Sequence, residues 1–311
     1  MAWLSHLTRN VAASFPHCAR IGCTRAAWLR LLPGYGIRLQ QQWYCSPQCF
    51  EIAVRRCFAR ASTPASAPPR AQHRIPLGLV LLSRGQLSNA QLRSALQAQR
   101  DSGRGRIGQW LEEMGFATEP QVTAAMGLQW ACPVLPASAL ASADLSPTLP
   151  IRLLEAFRML PVHFSRERVL YLAFSEGVDY TAMHAIEQAL PCRTEACLVG
   201  SSAMDAVLAR LGQHRRAADY VFEDPLSDSE MARISCGCVI KMGAREVRIV
   251  ACGDYIWVRL ETESDPVNLL FRRRGLDSVA GGWLTSGEER VAGGGSGTAP
   301  KAPATDHRPK R

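Results

Sequence analysis

Long apolar runs are missing from this sequence. No window approaches the roughly 18 uninterrupted apolar residues that a membrane helix requires, so no membrane insertion is expected. Residues 1–14 offer only a weak apolar stretch, broken by His6, Arg9 and Asn10, and lack the pattern of a secretory signal; a cytoplasmic location is expected. The phosphate-cradling order G-x-x-x-x-G-K-[ST] is missing as well. GGGSGTAPK (293–301) has the glycines but neither that order nor a flanking strand and helix, so nucleotide hydrolysis by this chain is not expected. His163 and His184 have no Ser or Cys motif around them, and Cys192 and Cys197 flank a short strand without a catalytic signature. The expectation is therefore a protein that is not an enzyme. Disorder throughout is excluded in turn, because 47% apolar residues against 20% charged ones leave ample material for buried cores.

Lysine is scarce. Three lysines stand against 33 arginines, and the net charge of +9 is unevenly placed. Residues 1–60 hold eight arginines and a single acid, Glu51, whereas residues 74–131 hold six arginines and four acids. A basic N-terminal module suits an anionic partner such as nucleic acid, or simply a soluble surface. Eleven cysteines in a chain expected in the cytoplasm read as thiols and metal ligands rather than disulfides, and the odd count leaves at least one unbridged.

The sequence divides into an α+β multidomain chain. Residues 15–60 read as a small zinc finger and 61–73, with the run ASTPASAPPRAQ, as a linker. Residues 74–131 read as a helical tandem-repeat subdomain and 132–212 as a small α/β subdomain, with a strand in RVLYLAFS (168–175), a helix over 180–190, a strand near 195–199 and a helix over 202–211. Residues 213–275 form a C-terminal segment with a helix followed by EVRIVACG and YIWVRLET, alternating runs that meet at Gly253-Asp254 as a β-hairpin. The Gly- and Pro-rich residues 276–311 are expected to be a disordered tail.

Cys18-x4-Cys23 and Cys45-x3-Cys49 are two close pairs separated by 21 residues. Zn²⁺ takes four tetrahedral thiolate or imidazole ligands, and two such pairs joined by a loop supply them. Ile37 to Tyr44 alternates like a strand, and residues 49–60 read as a helix whose N-terminal dipole favours thiolate charge. So short a segment has little core of its own, so metal is expected to supply most of its folding energy. Cys57 reads as packing, and His17 is an alternative ligand to Cys18. The arrangement resembles a treble-clef zinc finger, with WYCSPQCF its most finger-like stretch.

The strongest pattern is an internal repeat offset by 30 residues: PLGLVLLSRGQLSNAQLRSALQAQ (76–99) and RIGQWLEEMGFATEPQVTAAMGLQ (106–129). The copies coincide at Leu77/Ile107, Gly78/Gly108, Leu81/Leu111, Gly85/Gly115, Leu92/Val122, Leu96/Met126 and Gln99/Gln129. Each reads as helix, tight turn, helix, with Ser88 an N-cap and with Gly85 and Gly115 ending the first helices in the left-handed conformation. Gly78 and Gly108 fall in first helical turns, where alanine would be favoured by about 1 kcal/mol, which implies that something approaches the backbone closely.

This doubled pattern, R-[LI]-G-x-x-L-x-x-x-G-x-x-x-x-x-x-[LV]-x-x-x-[LM]-x-x-Q, resembles the N-terminal domain of type II secretion and type IV pilus assembly ATPases. In the MshEN subset of that family, two such motifs bind one cyclic di-GMP. The resemblance continues through MLPVHFSRERVLYLAFSEGVDYTAMHAIEQAL and DAVLARL, and more distantly through 230–260, and stops before any motor core. It implies a ligand site on Leu77, Gly78, Leu81, Gly85, Leu92, Leu96 and Gln99 of the first copy. The second copy would add Arg106, Ile107, Gly108, Leu111, Gly115, Val122, Met126 and Gln129. Pro76 stands where the first copy should carry arginine, and Arg74, two residues earlier, is the substitute. A dianion with two flat guanines asks for such cationic donors and apolar surface. The expected function is a non-catalytic regulator or adaptor that binds cyclic di-GMP and docks a secretion- or pilus-type partner. The alternatives are a ligand-free adaptor of such an apparatus and a nucleic-acid-binding zinc protein.

Overall fold

The structure is a computed structural model that describes residues 17–23, 36–63, 74–141, 149–213 and 219–274. Most of the expected linker and the whole expected tail lie outside the described residues.

Ile37 to Tyr44 is not one strand. It is a hairpin of β1 (Ile37–Leu39) and β2 (Gln42–Tyr44), turned at Gln40 and Gln41 with φ of 49° and 69°. Two consecutive left-handed residues match the twist of paired strands, but they are usually Asn-Gly, so two glutamines give no turn signal. Ser46 then accepts the Cys49 N–H and Pro47 takes the first helical position, starting α1 (Pro47–Ser62). This helix runs two residues into the stretch expected as linker.

The repeat forms four helices: α2 (Leu77–Ser83), α3 (Asn89–Ser102), α4 (Ile107–Glu113) and α5 (Glu119–Trp130). Ser88 caps α3 with Gln91 reaching back to it, and Gly85 and Gly115 follow α2 and α4 at φ +66° and +67°. After α6 (Ala137–Ala141) and α7 (Ile151–Phe157) comes a three-stranded sheet of β3 (Met159–Phe164), β4 (Val169–Phe174) and β5 (Arg193–Leu198). Its strands are joined through α8 (Tyr180–Ala189), and α9 (Ser201–Gln213) follows β5. β4 and β5 run parallel, as a helical crossover requires.

The second sheet is built from both ends of the described chain. Its order is β2-β1-β7-β8-β9-β6, with β6 (Asp219–Phe222), β7 (Glu246–Cys252), β8 (Tyr255–Glu261) and β9 (Val267–Arg272). The expected hairpin is β7–β8, turned at Gly253 and Asp254. Yet β8 does not alternate: Ile256, Trp257, Val258, Arg259 and Leu260 are all buried, because both faces of the sheet are covered. Trp257, Val250, Cys252 and Leu270 join the core of the α/β block. Ile256, Val258, Leu269 and Phe271 join α1 and α10 (Asp228–Met242) in another core.

β1 pairs in parallel with β7, Leu39 opposite Val247, and α1 lies on α10. Phe50, Val54 and Phe58 of α1 are fully buried there, and Phe58 meets Phe271 edge-on at 5.6 Å. The N-terminal segment thus has a substantial core, shared with residues 219–274. Packing on that core contributes to its folding energy, where the segment's length suggests that a metal would supply most of it.

A buried polar chain ties the three parts of this region. Trp257 Nε1 donates to Asn268 Oδ1 at 2.9 Å, Asn268 Nδ2 donates to Asp219 Oδ1 at 2.8 Å, and the Ile151 N–H donates to Asp219 Oδ2 at 3.3 Å. Asn268→Leu keeps the volume but orphans the indole N–H at a site with 0% exposure. It should destabilise the fold by about 2–4 kcal/mol, read as a lowered denaturation midpoint at unchanged slope.

Candidate ligand site and candidate metal centre

The two repeat copies interlock. α2 packs on α5, and α3 packs on α4, so each copy's first helix lies against the other copy's second. The motif glutamines close the same exchange. Gln99 Nε2 donates to the Gly105 carbonyl at 2.9 Å, at the entrance to the second copy, and Gln129 Nε2 donates to the Ile75 carbonyl at 2.8 Å, at the entrance to the first. Arg106 and Arg74 each stand next to one of these carbonyls. Arg106 caps α4 in register with Pro76, which caps α2.

Half of the apolar motif residues are buried inside the repeat. Leu77, Leu81, Leu111 and Val122 are buried, two of them at 0% exposure, together with Gly78 and Gly108. These six residues lie in the interior of the repeat. The close approach implied by the glycines is also internal: a Cβ on Gly78 would stand 2.6 Å from Leu92 Cδ1, and one on Gly108 would stand 3.0 Å from Val122 Cγ1. Leu92, Leu96, Ile107, Met126, Gln99, Gln129 and Arg74 are part-exposed, while Arg106, Gly85 and Gly115 are exposed.

The entrances face the α/β block. Arg106 Nη2 lies 2.9 Å from Glu176 Oε2, and its Nη1 donates to the Glu176 carbonyl. Glu176 Oε1 is also 3.3 Å from Arg158 Nε, and Arg158 Nη1 is 2.5 Å from Asp205 Oδ1. Arg74 places its guanidinium 3.5 Å above the Trp130 ring and 5.8 Å from that of Tyr180. Trp130, Glu176 and Tyr180 were not singled out from sequence. Trp130 directly follows the motif glutamine, which is the signal that would have found it; Glu176 and Tyr180 are brought in by tertiary packing alone.

The quartet Cys18, Cys23, Cys45 and Cys49 also meets. All four sulfurs lie within 4.8 Å of one another and could hold a metal ion. Cys23–Cys45, Cys45–Cys49 and Cys49–Cys23 are 3.6, 3.7 and 3.8 Å apart. Zn–S bonds of about 2.3 Å in a tetrahedron give an S···S edge of about 3.8 Å, so the spacing fits that donor set. Cys18 and Cys23 flank a tight turn, and Cys45 and Cys49 sit at the start of α1. Burial raises the Cys49 thiol, but hydrogen bonds from Ser46, Arg20 and the neighbouring thiols outweigh it and bring it down to about 6. Burial, joined by the thiols of Cys23 and Cys49, pushes Cys45 up to about 12. His17 is exposed and stands outside the quartet, and Cys57, on α1 itself, packs against the core.

The residues weighed for catalysis are placed apart from any such cluster. His163 stacks on Tyr171, and His184 hydrogen-bonds Gln188 at 2.8 Å. Cys197 is buried, and burial pushes its thiol to about 12. Of the basic N-terminal arginines, Arg20 contacts Cys49 and Arg55 pairs with Glu51. No helix among the described residues is long and apolar enough to cross a membrane.

No family model and no curated protein matches the chain. Among solved structures it is similar to one described as "Structure of MshE with cdg", with 31% identity over 44% of this chain and 99% of that one, at a TM-score of 0.39. It is also similar to the N-terminal domain of XpsE, with 22% identity over 47% of this chain and 98% of that one, at a TM-score of 0.35. A second crystal form of that domain gives 23% identity and a TM-score of 0.29.

The sulfur geometry sets an expectation for metal. Full-length chain purified under reducing conditions without chelator should carry about one equivalent of zinc by elemental analysis. Two of the four thiols, Cys18 and Cys45, have raised pKa values, so binding must expel their protons and affinity should fall as pH is lowered. Chelation should lower the melting temperature yet leave most of the helix and strand signal, because α1 and β1 keep their packing on the C-terminal sheet. Metal-free protein that melts identically would sink the assignment.

Proposed function

We propose that this chain is a non-catalytic regulatory or adaptor protein. It binds cyclic di-GMP at the tandem motif 76–99/106–129, and it docks a partner of the secretion or pilus-assembly type. The observation that carries the reading is the reciprocal closure of the two copies. Gln99 and Gln129 fix the two chain entrances, and each fixed entrance carries an arginine, Arg106 or Arg74, suited to one half of a two-fold dianion. The Cys quartet holds one Zn²⁺ in a structural role, fastening the knuckle at Cys18–Cys23 to the start of α1 and presenting a docking surface.

A second reading is favoured by one observation. Pro76 replaces the first-copy arginine and removes a backbone donor, and Arg106 is already engaged by Glu176. On that reading the repeat is a ligand-free adaptor. Nucleic acid binding by the basic N-terminal part has no comparable support from the described side chains.

Calorimetry on the full-length chain with cyclic di-GMP separates the two. Binding is expected, and Arg106→Ala should weaken it by about ten- to a hundredfold, the usual consequence of losing a charge-assisted contact. Arg74→Ala should weaken it less, because Arg74 stands out of register. Absence of binding at high micromolar ligand would favour the ligand-free adaptor, and equal affinity in Arg106→Ala would remove the site from this repeat.

A further inference from the structure

Resting on the cyclic di-GMP reading, we propose that the ligand seat extends beyond the tandem motif onto the α/β block. Glu176 there is the resident carboxylate that a dianionic ligand displaces from Arg106, and Tyr180 supplies a stacking face for a guanine.

The charge arrangement comes first. Arg106 commits both ends of its guanidinium fork to residue 176, one to the carboxylate at 2.9 Å and one to the backbone carbonyl. A planar fork recognises a phosphate with the same two donors, so Glu176 and a phosphate compete for one group. A retained Glu176 contact would place a carboxylate against the incoming anion. Release is not prohibitive, because the other carboxylate oxygen is already 3.3 Å from Arg158 Nε. Both partners of the Arg106–Glu176 pair are also partly exposed, at 52% and 29%, which keeps the pair weak enough to be exchanged.

The aromatic arrangement lies in the same place. Gly177, the residue after Glu176, has φ +108° and packs so closely on Trp130 that a Cβ would stand 2.7 Å from the ring. The loop carrying Glu176 is therefore seated on Trp130. Tyr180 stands 6.2 Å from Trp130 between centroids and is 52% exposed, and the Arg74 guanidinium lies over both rings. A guanidinium layered on aromatic faces marks a surface on which a flat base also stacks. With Leu81 and Leu111 sealed in the core, this pair adds a flat aromatic surface next to the entrances.

The test is calorimetry with cyclic di-GMP on the full-length wild type, Glu176→Gln, Tyr180→Ala, Arg106→Ala and the Arg106→Ala/Glu176→Gln double variant, with circular dichroism on each. Glu176→Gln should bind about two- to fivefold more tightly, the range set by losing an exposed competing ion pair. That gain should vanish in the Arg106→Ala background, which a merely structural role for Glu176 would not produce. Tyr180→Ala should bind about tenfold more weakly through loss of stacking. If Glu176→Gln fails to fold, Glu176→Ala carries the same expectation, and Tyr180→Ala reads the extension independently from an exposed position. A dissociation constant unchanged in either single variant, with wild type binding, overturns this proposal and leaves the motif reading standing. Absence of binding in every protein, Glu176→Gln included, overturns both.

Discussion

Burial of one β-meander on both faces organises the molecule. β7, β8 and β9 present Val250, Cys252, Trp257 and Leu270 to the α/β block, and Val247, Ile249, Ile256, Val258, Leu269 and Phe271 to α1 and α10. A sheet covered on both sides has no solvated face, so its middle strand must be apolar throughout or pair its polar groups internally. β8 does both. Its one buried charge, Arg259, is 5% exposed and donates to Glu261 at 2.6 Å, and the Trp257 N–H is met by Asn268. A short N-terminal segment can contribute strands and a helix here because the surface it lands on already exists. β1 adds to the start of the β7 edge, opposite Glu246 and Val247, and α1 covers the apolar face beside it. The cysteine cluster then sits on a segment whose position is already fixed by packing, and on the proposed reading a metal there fastens the knuckle at Cys18–Cys23.

Local signals in the sequence carried most of the helical architecture. Ser88, Gly85 and Gly115 mark helix ends by cap chemistry that depends on a few neighbours only, and the four helices of the repeat follow from them. The β7–β8 hairpin and the helices over 180–190 and 202–211 were legible for the same reason, as was the meeting of the four cysteines. What was not legible is non-local. The parallel pairing of Leu39 with Val247 joins residues far apart in sequence, and no cue in either strand names the other. The turn at Gln40-Gln41 escaped because its left-handed residues lack the usual Asn or Gly, and β9 escaped as one short run among loops.

The candidate ligand site shows the same division more sharply. Leu92 lies over Gly78, Val122 lies over Gly108, and Leu77, Leu81 and Leu111 share one core, so the pattern of the doubled motif also serves the repeat's own packing. Periodicity reports that a residue faces something apolar; it does not distinguish a neighbouring helix from a bound ring. Glu176 and Tyr180 escaped altogether, since they reach the motif only through the packing of the α/β block against it.

It follows that the doubled motif has two separable layers. The glycines, the apolar residues and the two glutamines suffice to build four interlocked helices with closed entrances, and a chain that had abandoned its ligand would still need every one of them to fold. Arg106 belongs to the other layer. Its side chain is 52% exposed, and the partner that holds it, Glu176, sits on a different block of the fold. Exposed ion pairs contribute at most about 1 kcal/mol, too little to explain why an arginine rather than a serine or aspartate occupies the N-cap of α4. An N-cap arginine gives up the side-chain acceptor that would have stabilised the helix start and places positive charge against the positive end of its dipole. That local cost is not recovered within the repeat; on the proposed function, a phosphate that meets the Arg106 guanidinium offsets it.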